Sequence, residues 1–156
     1  PPPPPFQAED GIRDPESCLV GSEMCIRDSP MIGYVVLGTN DLARAASFYD
    51  TLLAEMGVTR MMELGDRGFA WAAAMDKPML CIMTPYDGQP ATVGNGVMAG
   101  IAADSRDQVD RIYKKALELG GSDEGPPGLR AEGGDGFYAA YFRDLDGNKL
   151  DVFSYG

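Results

Sequence analysis

Residues 31–57 read MIGYVVLGTNDLARAASFYDTLLAEMG, and this stretch decides the fold. Met31–Gly38 is an apolar run with a β-branched centre, which predicts a strand. Thr39-Asn40-Asp41 follows, with Asn40 placed to cap a helix and Asp41 favourable in its first turn. Leu42, Ala45, Ala46, Tyr49, Leu52, Leu53 and Met56 then recur in steps of three and four, the spacing of one helical face. Gly57 supplies the stop.

The same pattern returns 64 residues later: Tyr34 falls on Met98, Asn40 on Asp104, Tyr49 on Tyr113, Leu53 on Leu117 and Gly57 on Gly121. The second copy opens with a predicted strand over Val97–Ala103. Asp104 caps a helix that buries Val109, Ile112, Tyr113, Ala116 and Leu117, and Gly120-Gly121 ends it. In the first copy, Val58–Leu64, Phe69–Met75 and Pro78–Thr84 predict three consecutive antiparallel strands. Pro78 belongs at a strand start because it cannot donate to a ladder. In the second copy, residues 122–136 are rich in glycine and proline and predict a mobile loop with at most a short strand. Phe137–Arg143 and Lys149–Ser154 flank a turn at Asp144–Asn148, with Gly147 at the positive-φ position. The pattern is strand–helix–three strands, twice, and helices combined with antiparallel strands argue an α+β class.

Residues 1–30 stand outside this pattern. No hydrophobic period is sustained there, and Ile-Arg-Asp occurs twice, at 12–14 and 26–28. The stretch resembles translated sequencing-adapter DNA and reads as a non-native extension, the alternative being a natural disordered tail. A single domain over 31–156 remains, with modules 31–84 and 97–155 joined by the turn-rich linker 85–96.

The chain carries a formal net charge of −11, of which residues 1–30 supply −4 and the domain −7. An acidic domain repels nucleic acid and anionic lipid, and no apolar run reaches membrane length. Cys18 and Cys25 lie in the extension, so Cys81 has no partner within the domain. That fits a reducing cytoplasm. There is no histidine anywhere in the chain.

Val36-Leu37-Gly38-Thr39-Asn40-Asp41-Leu42, then Ser47-Phe48-Tyr49 and Leu52-Leu53, resembles the opening of vicinal oxygen chelate proteins. That superfamily includes glyoxalase I, bleomycin-resistance proteins, fosfomycin-resistance enzymes and extradiol dioxygenases. Phe142-Arg143-Asp144-Leu145-Asp146-Gly147-Asn148-Lys149-Leu150 resembles the family's closing hairpin, with Leu145 where proline is common. The resemblance implies a cupped eight-stranded mixed sheet built from two βαβββ modules, the glyoxalase-like fold. It also implies a homodimer, and a divalent metal at the centre of the cup held by His and Glu from the first and last strands of each module. Those positions fall here on Tyr34, Cys81, Met98 and Asp151. One carboxylate, one phenol, one thiol and one thioether make a poor set for a hard cation or zinc. No metal site is therefore expected, and no cofactor is predicted; a divalent metal is implied by the resemblance alone.

Strand alternation adds further candidates for the cup. Arg143 could clamp an anionic group or pair with Asp144 or another acid at the rim. Tyr141 could donate to a ligand oxygen or pack a core. Trp71 could stack on a ligand or pack beneath a helix. Met79, Met83 and Met98, with Cys81, suit an organic ligand or serve as core fillers.

Two functions stay open. The first is a binder of a small organic molecule in the cup, without the family's metal, through Trp71, Met79, Cys81, Met83, Met98 and Arg143. The second is an enzyme of lyase, isomerase or dioxygenase type with altered residues or an atypical metal site, using Asp151 as base and Tyr34 or Tyr141 as electrophile.

Overall fold

The computed structural model describes residues 31–156, and the extension at 1–30 lies outside them. The first module runs β1 (Tyr34–Gly38), α1 (Leu42–Ala54), β2 (Thr59–Glu63), β3 (Gly68–Ala72) and β4 (Met79–Met83). The second runs β5 (Ala99–Ala102), α2 (Arg106–Glu118), β6 (Ser122–Leu129), β7 (Phe137–Arg143) and β8 (Lys149–Tyr155), with a 3-10 turn at Ala131–Gly133. The expected α+β architecture, strand–helix–three strands twice over, is the observed one.

The eight strands form two four-stranded sheets, ordered β1-β4-β3-β2 and β5-β8-β7-β6. β1 runs parallel to β4 and β5 parallel to β8, while the remaining neighbours are antiparallel. Both sheets are thus mixed. Each has a helix-covered face and a helix-free face, and strand alternation sorts the residues between them. Leu37, Trp71 and Ile82 in one sheet, and Ala140, Phe142, Leu150 and Val152 in the other, join the helices in one shared core.

Polar contacts also tie the modules together. Tyr49 on α1 donates to Asp144 Oδ2 in the β7–β8 turn at 2.6 Å, fully buried. Asp144 Oδ1 accepts from the backbone of Asp146 and Asn148, and Asn148 Nδ2 reaches Gly38 O at 2.9 Å. Thr39 Oγ1 donates to Asp146 Oδ2 at 2.7 Å. Gly147 takes φ +88°, as the turn at this position requires.

Three sequence expectations need correction. The cap of α1 is Asp41, whose side chain accepts from Arg44 N, and not Asn40. Asn40 instead exchanges two hydrogen bonds with the backbone of Ala91 in the linker. The cap of α2 is Ser105, accepting from Gln108 N, and not Asp104. Third, residues 122–129 form an eight-residue strand where a loop was expected. β6 lies at a sheet edge, and its register slips between Asp123 and Gly125 and again between Gly125 and Gly128. An edge strand tolerates Pro126, and the irregularities absorb the glycines.

Candidate functional site

The helix-free faces hold nearly all the candidates. In the first sheet, register sets Tyr34 beside Met79, Val36 beside Cys81 and Gly38 beside Met83. This face is apolar and partly open, with Tyr34 67% exposed and Val36 48% exposed. Cys81 is buried, and burial pushes its thiol pKa up, which keeps it protonated and unreactive. Trp71 does not share this face. It lies in the core against Tyr49, with ring centroids 5.7 Å apart, and Nε1 donates to Asp50 Oδ1 at 2.8 Å.

The second sheet presents polar chemistry. Asp151 on β8 is flanked in register by Gly100 on β5 and Tyr141 on β7. One step along, Arg143 faces Lys149. Arg143 and Lys149 also line an open cleft of about 330 Å³ together with Met98 and the turn Gly94–Val97. The fold therefore gathers Asp151, Tyr141, Arg143 and Met98 on one surface.

Asp151 is the unusual member. Its neighbours Leu150 and Val152 point into the core, so its carboxyl must point to the helix-free side, yet it is only 6% exposed. Oδ1 is buried without a hydrogen-bond partner. Burial raises its pKa from an ordinary 3.8 to about 6. A β-carbon on Gly100 would lie 3.3 Å from the Phe153 ring and 3.8 Å from Asp151 Oδ2, so the absence of a side chain here lets Phe153 pack close beside the carboxyl.

Arg143 pairs with Glu124 on β6 at 2.6 Å, and not with Asp144. Lys149 reaches the same carboxylate at 3.6 Å. The hydrogen bond from Arg143 holds the Glu124 carboxyl below its ordinary pKa. Lys149 Nζ also lies 5.6 Å from the Tyr141 ring centroid, and Arg130 lies 5.5 Å from it on the β6 side. Sequence reasoning missed Lys149, Glu124, Arg130 and Gly100. Alternation back from Asp151 would have found Lys149. Glu124 and Arg130 fell within the segment read as a loop, so no face could be assigned to them.

The residue profile of the Glyoxalase/Bleomycin resistance protein/Dioxygenase superfamily matches residues 31–152. This chain belongs to that superfamily. A glyoxalase/bleomycin resistance protein from Albidiferax ferrireducens T118 superposes with a TM-score of 0.72 at 35% sequence identity, covering 81% of this chain and 100% of its own. A family enzyme from Burkholderia phytofirmans PsJN gives 0.63 at 14% identity, covering 80% and 98%. The hypothetical protein SA1046 from S. aureus gives 0.61 at 23% identity, covering 80% and 92%. These last two likenesses concern the fold alone. No match is found among curated proteins.

The family's metal is a poor fit to the donors of this chain. Among the described residues, no group of three or more His, Cys, Asp or Glu side chains is placed to hold an ion. Of the four corresponding positions, Asp151 supplies the one carboxylate, and the Cys81 thiol is held protonated by burial. Tyr34 and Met98 offer a phenol and a thioether, weak ligands for hard divalent cations. No hydrogen bond, ion pair or strand pairing among the described residues links Tyr34 or Cys81 to Met98 or Asp151.

Proposed function

We propose that this chain binds a small organic molecule on the helix-free face of its second module, without a divalent metal. The observation that carries this reading is Asp151: a buried carboxyl with an unpartnered oxygen, two residues along β8 from Lys149, which lines an open cleft. An unsatisfied buried acceptor costs stability, so a fold that keeps one calls for a role. A ligand donor is the economical partner. Met98 and Tyr141 supply apolar and aromatic contact, and Arg143 an orienting charge. Met79, Cys81 and Met83, with Tyr34, offer a second, apolar surface on the first sheet. Trp71 acts in this reading by packing, not by touching ligand. The test is metal analysis of untagged protein, followed by a screen of neutral and charged metabolites by chemical-shift mapping. Metal-free protein whose Gly100, Tyr141 and Asp151 amides move on ligand addition is the expected result. Stoichiometric metal lost on Asp151→Ala would overturn the reading.

One observation favours a catalytic variant of the same site. A carboxyl with a pKa of about 6 is poised to take a proton near neutral pH, and Tyr141 stands beside it in register. An enzyme of lyase, isomerase or dioxygenase type would then use Asp151 as base and Tyr141 as electrophile; Tyr34 lies on the other sheet. Solvent deuterium entering a bound ligand, lost in Asp151→Asn, would establish it.

The protein acts as a homodimer in this reading. β1 and β5 are edge strands, and both carry exposed apolar residues: Tyr34 and Val36 on β1, Met98 just before β5. Long apolar edges left open invite pairing with another chain, and a second copy satisfies them in closed form. A cytoplasmic setting accords with the single thiol of the domain. Among the described residues no helix is long and apolar enough to cross a membrane.

A further inference from the structure

We propose that the ligand of this face is an organic acid. Its carboxylate is held by Arg143, Lys149 and Arg130, and a second hydrogen-bonding group reaches Asp151. The assignment rests on the binding reading above.

Three cations gather around Tyr141 and Glu124 in a strongly acidic protein. Lys149 and Arg130 flank Tyr141, and Arg143 shares Glu124 with Lys149. Glu124 pairs with Arg143 and Lys149, and with Asp151 counted the face sets three cations against two carboxyls. With a domain charge of −7, free cations elsewhere on the surface would be drawn to acids. Here the surplus is built in.

The backbone is shaped to keep the cations in place. Arg143 Nη1 donates to Gly147 O at 2.8 Å and Nε to Glu124 at 2.6 Å, which fixes the plane of the guanidinium. Among the described residues Nη2 makes no hydrogen bond, which leaves it for an incoming oxygen. Arg130 folds back over its own strand and bonds Pro126 O. That path exists because β6 has glycine beneath it. A β-carbon at Gly125 would lie 3.0 Å from the Tyr141 ring and 3.5 Å from Arg130 Nη2, and one at Gly128 would lie 3.4 Å from Arg130 Nη1. The glycine-rich segment is thus the bed of an arginine.

Spacing sets the second group. Lys149 and Asp151 are two residues apart on one strand, so their side chains leave the sheet roughly 6–7 Å apart on the same side. A molecule bridging them carries its carboxylate at one end and a hydroxyl or amide about that distance away. The free Oδ1 of Asp151 accepts from that group.

The test is calorimetric titration of the full chain with 4-hydroxybenzoate and with 4-hydroxybutanoate, each against its uncharged primary amide. The acids are expected to bind about tenfold or more tightly than their amides, with the preference shrinking in 0.5 M salt. The double variant Arg143→Gln, Lys149→Gln is expected to abolish the preference. Arg143→Lys keeps the charge and guards against a folding artefact. It is expected to retain part of the preference, with both variants compared at equal urea midpoint. Equal binding of acid and amide, or an unchanged preference in the double variant, would overturn the anion assignment. If amides move this face and acids do not, the anion assignment alone falls. If no organic probe moves it, the binding reading falls as well.

Discussion

Asp151 shows how one residue can be legible by position yet not by environment. Its place on the last strand followed from the closing hairpin. Its burial and the unpartnered Oδ1 follow from three strands meeting in register, which no local pattern contains. The consequence is measurable as stability against pH. The folded carboxyl holds its proton more tightly than the unfolded one, with a pKa of about 6 against an ordinary 3.8. Well below the unfolded value of 3.8 both states are protonated and the group contributes nothing. As pH rises from there through 6, the unfolded state ionises first and stability falls, by about 3 kcal/mol in total at 1.36 kcal/mol per pKa unit. Asp151→Asn should remove that loss. The variant's advantage over the parent, from urea melts, should grow between about pH 4 and pH 7 and then level off. A variant that tracks the parent at every pH would mean the carboxyl is solvated or paired in solution.

At the scale of elements, periodicity and turn residues found both helices, seven of the eight strands, the helix stop at Gly57 and the positive-φ Gly147. It failed where side-chain reach, not spacing, decides. Asn40 and Asp41 are both good caps by residue type, and the choice between them depends on a partner 51 residues away: the Ala91 backbone engages Asn40, so Asp41 is left to turn toward Arg44 N. β6 failed for a related reason. Its glycines and prolines deny it any propensity, and only pairing with β7 holds it extended. The cap assignment has a direct test. Asp41→Ala should cost about 1 kcal/mol, the usual loss on removing a helix N-cap, and lower protection of the first-turn amides of α1. Asn40→Ala should leave those amides unchanged and loosen exchange at Ala91 instead. The opposite pattern in hydrogen exchange would return the cap to Asn40.

Over the whole molecule, the two modules divide the labour. Their helices, with Tyr49 and Asp144 sealing the seam, build one core. Their helix-free faces differ: the first is apolar, and the second carries the charges. The duplication predicted symmetric positions, but the residues at them, Tyr34, Cys81, Met98 and Asp151, share no chemistry, which is why the scaffold could be read from sequence and the site only in part. The apolar first face also bears on assembly. Tyr34 at 67% and Val36 at 48% exposure sit on a strand at the edge of its sheet, so each single chain leaves apolar surface in water. Burying it against a second copy recovers about 25 cal/mol for each Å² removed from water. Val36→Lys places a charge in that contact while touching nothing in the core, since Val36 points away from the helices. The parent protein should run as a dimer by light scattering at micromolar concentration. Val36→Lys should run as a monomer with an unchanged far-ultraviolet spectrum and a thermal midpoint that no longer rises with protein concentration. A parent that is already monomeric, or a variant that stays dimeric, would place the dimer contact elsewhere or remove it.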